Sequence, residues 1–166
     1  MEEGVERGKV VGFLWGDQVE VMGVKIKAVE CRHVSFFRSG DVYLSGMPLS
    51  FIIYPKEGVR IYNAGDTALF SDMKLIGELY RPNIALIPIG GAPGPTGGYS
   101  HLPPNEAAMA TQWIGPEFVI PTHYQPDTEE ASMFTNYVEL LAPSTRALVM
   151  KPGETLTYDH ETHRFG

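Results

Sequence analysis

Val24, Ile26 and Ala28 alternate with Lys25 and Lys27, the period-2 signature of a strand with one buried face. That strand is the second arm of "QVEVMGVKIKAVECRH" (18–33), whose Met22-Gly23 step predicts a hairpin turn; "KVVGFLW" (9–15) before it also reads as a strand. Serine, glycine, aspartate and proline make 34–48 a loop. "LSFIIYP" (49–55) and "VRIYNA" (59–64) predict a second hairpin around Lys56-Glu57-Gly58. The period then changes. Met73, Ile76, Leu79 and Tyr80 share one face of a helix over 71–80, which Ser71 or Asp72 can cap and Pro82 ends. The unbroken apolar run "IALIPI" (84–89) is a buried strand. "GGAPGPTGGYSHLPP" (90–104) is a long glycine- and proline-rich loop, of a length that compact domains keep mainly for function. Helices over 105–114 and 129–142 flank a strand over 118–124, and strands at 147–150 and 154–158 close the chain.

A meander followed by alternating strand and helix defines an α/β (α+β) protein. Both patterns are used together when two β-sheets pack face to face with helices outside. With no repeat, linker or low-complexity segment, residues 1–166 are expected to form a single domain.

Composition narrows the function. A formal net charge of −7 and scattered basic residues argue against a nucleic-acid partner. No apolar run reaches the length of a membrane span, and a single cysteine, Cys31, excludes an internal disulfide. The expectation is a cytoplasmic protein.

Three polar residues occupy equivalent places. His33 ends one strand, Asp66 follows another in "NAGDT", and His123 ends a third in "PTHY". Side chains at neighbouring strand ends can converge from rigid supports, and two imidazoles with a carboxylate suit Zn²⁺ or another borderline divalent cation. Each has a purely structural reading as well: a surface or core histidine, or an aspartate serving its own turn. Cys31, two residues before His33, shares its strand face and reads as core packing, with thiolate ligation as the alternative. His101, in the 90–104 loop, reads as facing water, with reach to substrate or metal as the alternative. His160 and His163 lie in a polar tail.

"IYNAGDTALFSDMKLIGELYRPNIALIPIGG", with "NEAAMATQWIGPEFVIPTHY" and "LVMKPGETL", resembles the metallo-β-lactamase-fold hydrolases, in particular small metal-dependent ones similar to ascorbate-6-phosphate lactonases. The resemblance implies the αββα sandwich of that fold in partial form. It further implies that His33, Asp66 and His123 are metal ligands, with Asp66 bridging two ions and so catalytic. The activity implied is hydrolysis of an ester, lactone, amide or phosphodiester by metal-bound hydroxide. Thr67, His101 and Tyr124 are then placed beside a small-molecule substrate. Zinc is the expected metal, with Mn, Fe and Ni as the others.

The family's H-x-H-x-D-H signature is absent, since no two of the histidines at 33, 101, 123, 160 and 163 are two apart. The chain therefore corresponds to the C-terminal two-thirds of such an enzyme, with an incomplete metal site. The expectations that follow are a homo-oligomer or a separate chain supplying the missing N-terminal segment. The alternative to a hydrolase is a catalytically degenerate binding or assembly module, or a fragment that needs its partner for activity.

Overall fold

The Met22-Gly23 turn forms as the alternation requires. Both residues take positive φ (50° and 80°), the geometry that suits the twist of a two-residue hairpin, and it joins β1 (Gln18–Val21) to β2 (Val24–Glu30). The computed structural model describes residues 4–90, 101–125 and 128–166. Most of the expected 90–104 loop lies outside them.

After β2 come β3 (Phe36–Ser39), β4 (Val42–Ser45), β5 (Leu49–Tyr54) and β6 (Ile61–Asn63). Strand and helix then alternate: α1 (Met73–Tyr80), β7 (Ile84–Pro88), α2 (Pro104–Ile114), β8 (Phe118–Thr122), α3 (Glu130–Leu141) and β9 (Arg146–Ala147). A short ribbon of β10 (Tyr158–Asp159) and β11 (Arg164–Phe165) ends the chain. Seven strands form one mixed sheet in the order β1-β2-β5-β6-β7-β8-β9, antiparallel as far as β6 and parallel from β6 onward. The α/β class is as expected. Of the two packed sheets, the described residues contain this large one, with the two-stranded ribbons β3-β4 and β10-β11 beside it.

The core lies between the sheet and its three helices. Ile52, Tyr62, Ala85 and Val119 stand in register across β5, β6, β7 and β8 and meet Met73 and Ile76 of α1, Ala107 and Ile114 of α2, and Phe134 and Val138 of α3. Each large aliphatic or aromatic side chain buried this way contributes about 1.5–3 kcal/mol. α1 and α2 approach to near backbone contact at Gly77, where a Cβ would stand 2.6 Å from the Ile114 carbonyl oxygen. Arg81 closes α1 in the left-handed conformation (φ 44°), its N–H donating to the Gly77 carbonyl, and Pro82 prevents continuation.

Three expectations fail locally. Residues 9–15 form no strand: the Asp17 carboxylate accepts from the Leu14 N–H at 2.8 Å and the Asp17 N–H donates back to the Leu14 carbonyl, so the chain turns where a ladder should begin. The supposed loop 34–48 holds the β3-β4 hairpin, its serine, glycine and aspartate being the turn around Gly40 (φ 60°). The last strands are shorter than expected and displaced. Lys151 and Glu154 close a turn around Pro152-Gly153, leaving Arg146–Ala147 on the sheet and Tyr158–Asp159 in the terminal ribbon. Among the described residues, no helix is long and apolar enough to cross a membrane.

Candidate metal centre

β2 is antiparallel to β5, and β5 is antiparallel to β6, so β2 runs in the same direction as β6, β7 and β8. The C-terminal ends of all four strands therefore open on one edge of the sheet. His33 follows β2, Asp66 follows β6 and His123 follows β8 directly. His101 arrives by the β7-to-α2 connection, where the Gly90 N–H donates to the Leu102 carbonyl and holds the returning chain against the end of β7.

The four side chains meet. The His33 and His101 Nε2 atoms are 3.2 Å apart, and Asp66 Oδ2 is 3.4 Å from His101 Nε2 and 3.7 Å from His123 Nε2. The His101 and His123 rings lie 4.1 Å apart, centroid to centroid. One ligand atom each from His33, Asp66 and His101 falls within 4.8 Å of the others, so the three can share an ion. Two imidazoles and a carboxylate are a donor set for a borderline divalent cation. Burial, then the neighbouring His123, push the His101 pKa down, while Asp66 pulls it up; the neutral imidazole so favoured is the form that ligates.

A layer behind these residues holds them. The Gly-Asp-Thr turn is stitched to the end of β2 by three bonds: the Arg32 N–H donates to Thr67 Oγ1 at 3.0 Å, the Ala68 N–H to the Arg32 carbonyl at 2.8 Å, and the Cys31 thiol to the Asp66 carbonyl at 3.1 Å. Asp66 thereby takes its position relative to His33 from one backbone bond and from two short, buried side chains, those of Thr67 and Cys31. His123 sits at positive φ (57°), a conformation uncommon outside glycine.

The other sequence-derived candidates divide. His101 does not face water: it is 8% exposed and in the middle of the cluster. Thr67 is fully buried, with its hydroxyl donating to the Ala68 carbonyl as well as accepting from Arg32, which puts it beneath Asp66. The Tyr124 hydroxyl donates to the Met150 carbonyl at 2.9 Å and ties the segment after β9 to the end of β8. Cys31 is buried, and desolvation raises its thiol pKa; its sulfur turns to the Asp66 carbonyl. His163 pairs with Glu117 (2.8 Å), which precedes β8 at the opposite edge of the sheet. The signal for His101 was present in sequence: it follows a buried strand and precedes a helix, which in a parallel unit puts it on the carboxyl edge.

The chain matches the family described as the β-lactamase superfamily domain over residues 2–124. A UPF0173 metal-dependent hydrolase of Caldivirga maquilingensis is 49% identical over 117 residues, 67% of this chain and 47% of that protein. One from Methanobrevibacter smithii is 35% identical over 159 residues, 93% of this chain and 64% of that protein. The chain thus spans about half to two-thirds of the length of these curated relatives. Among solved structures, Igni18, a metallo hydrolase from the hyperthermophilic archaeon Ignicoccus hospitalis, superposes with a TM-score of 0.67 at 34% identity, over 87% of this chain and 58% of that one.

Proposed function

We propose, from the premise that this chain belongs to the metallo-β-lactamase superfamily and within it to the UPF0173 metal-dependent hydrolase family, that its residues form part of the divalent-metal site of a hydrolase acting on a small-molecule ester, lactone or phosphodiester. The observation that carries this reading is the convergence of His33, Asp66 and His101, with His123 beside them, on the edge where four strands end. A bound cation, zinc being the first choice and Mn, Fe or Ni the others, supplies Lewis-acid polarisation of the scissile group and an activated water. The chain's own residues do the rest. His33, Asp66 and His101 would hold the ion, and His123, 44% exposed in its side chain and 3.7 Å from Asp66 Oδ2, would stand at the rim where substrate arrives. Cys31 and Thr67 keep the Asp66 turn in register from behind. The H-x-H-x-D-H ligands of the family are not among these 166 residues, so a full pair of ions would draw them from a further polypeptide segment.

The test is metal content per chain by plasma mass spectrometry after gel filtration, on wild type and Asp66→Ala, followed by a hydrolysis panel of esters, lactones and phosphodiesters. About one divalent ion per chain, lost on substitution, supports the reading. A wild-type protein that takes up none from a stoichiometric supply removes it for this chain.

A further inference from the structure

Beside the metal cluster lies a cleft of about 200 Å³, lined by Cys31, His33, Val34, Ser35, Pro48, Leu49 and Asp66. Val34, Pro48 and Leu49 form an apolar wall directly against two of the ligand candidates. The β3-β4 hairpin leaves the chain just after His33 and is tied at its base by the Gly46 N–H and the Ser45 hydroxyl, both donating to the Ser35 carbonyl. Val34 is 70% exposed, Phe36 62% and Tyr43 66%, and the last two meet edge to face at 5.8 Å. Apolar side chains gathered at the mouth of a site with a few polar groups at its base are the usual make-up of a pocket for an apolar ligand.

Charge points the same way. No lysine or arginine lines the cleft, and none occurs in the sequence anywhere from Pro82 through Thr145, which includes β7, β8 and the connection that carries His101. The nearest guanidinium in sequence, Arg32, is engaged with Glu30 at 2.8 Å and lies over the Phe70 ring. Beyond the cation itself, arginine, lysine or a cluster of backbone donors is what holds a phosphate, and this chain brings no such side chain to the cleft.

We infer that the cleft between His33 and the hairpin base takes an apolar acyl or aryl arm, which favours a carboxylic ester, lactone or amide over a phosphate-bearing substrate. This rests on the hydrolase reading. In the reaction the acyl carbon–heteroatom bond breaks, the oxygen of water joins the acyl carbon, and the water's protons go to the departing alcohol or amine and to solvent as the acid ionises.

The test is binding of the product-like carboxylates acetate, butyrate and hexanoate, and of inorganic phosphate, to the zinc-supplemented chain by titration calorimetry, with metal content measured on the same samples. Each methylene fully buried is worth about fourfold in affinity, so hexanoate should bind at least about tenfold more tightly than acetate, and more tightly than phosphate. Val34→Asp, at an exposed position of the cleft wall, should abolish that gain at unchanged metal content, while Tyr43→Ser, outside the lining, should leave it in place. Affinity independent of chain length, or phosphate as the tightest ligand, overturns the inference. The metal content decides the hydrolase reading separately: zinc bound with flat chain-length dependence sinks only the apolar cleft, and a chain-length gain without zinc sinks only the metal site.

Discussion

His33 and His101 are 68 residues apart in sequence, yet their Nε2 atoms stand 3.2 Å from each other. The strand directions bring this about. A histidine after β2 and another on the connection leaving β7 reach the same edge because β2 and β7 run the same way through the sheet. Two imidazole nitrogens this close are stable with a proton or a cation between them, and the Asp66 carboxylate beside them stabilises either positive charge.

Replacing His101 with alanine should therefore weaken zinc binding by at least about tenfold, since a ligand rather than a supporting group is removed. His160→Ala, in the terminal ribbon's turn, should leave it unchanged. Competition against a chromophoric chelator reads both. Equal affinities for wild type and His101→Ala would return that histidine to a packing role.

Thr67→Val separates support from ligation. The hydroxyl accepts the Arg32 N–H, so its loss leaves that donor unpaired at the junction of the two segments that carry His33 and Asp66. Removal of such supporting partners commonly costs 10–100-fold in metal affinity, and a drop in about that range is expected although every ligand remains. Unfolding in urea on the same variant shows whether the loss is confined to the site. A metal affinity within twofold of wild type would mean that the turn holds Asp66 without this bond.

Much of this was legible in the sequence, and the reasons are particular. β2, β5 and β7 declare themselves by alternation or by unbroken apolar runs, because one or both of their faces are buried. Asp66 and His123 declare themselves by standing at strand ends. The β3-β4 ribbon did not, because among its described side chains none enters the core, and without a buried face the period carries little information. Residues 9–15 misled in the opposite direction: they are apolar enough for a strand, but Phe13 reaches the sheet by stacking on Phe51 at 6.1 Å rather than through a ladder. His101 was visible as a candidate, but its burial depends on where the returning chain docks at Gly90, a long-range backbone contact with no local pattern.

Gly77 links packing to the site. α1 follows the Asp66 turn and α2 follows His101, so the contact of Gly77 with the Trp113 and Ile114 carbonyls sets the separation of the two helices that descend from the cluster. Gly77→Ala adds a methyl group where backbone oxygens already stand 2.6 and 2.7 Å from the Cβ position. Overpacking against backbone should cost about 1–3 kcal/mol, read as a lower urea midpoint at unchanged slope. A gain in stability, the ordinary outcome of Gly→Ala within an exposed helix, would show that the helices can part without loss.

Tyr62 presents the opposite case, a group whose removal should help. It is fully buried beneath the sheet, desolvation raises its phenol pKa strongly, and its hydroxyl has no hydrogen-bond partner among the described residues. The neighbouring Ser50 hydroxyl gives its proton to the Ala64 carbonyl at 2.6 Å. A buried hydroxyl left unpaired costs about 1–3 kcal/mol, so Tyr62→Phe, which keeps the ring packed among Ile52, Ala85 and Met73, should raise the unfolding free energy by about 1 kcal/mol. Because the ring is unchanged, metal affinity should not move. A loss of stability on this substitution, measured by urea unfolding, would show that the hydroxyl finds a partner in solution, an ordered water bridging it to Ser50 being the simplest, and that the layer behind the Asp66 turn is a hydrated polar network rather than a dry one.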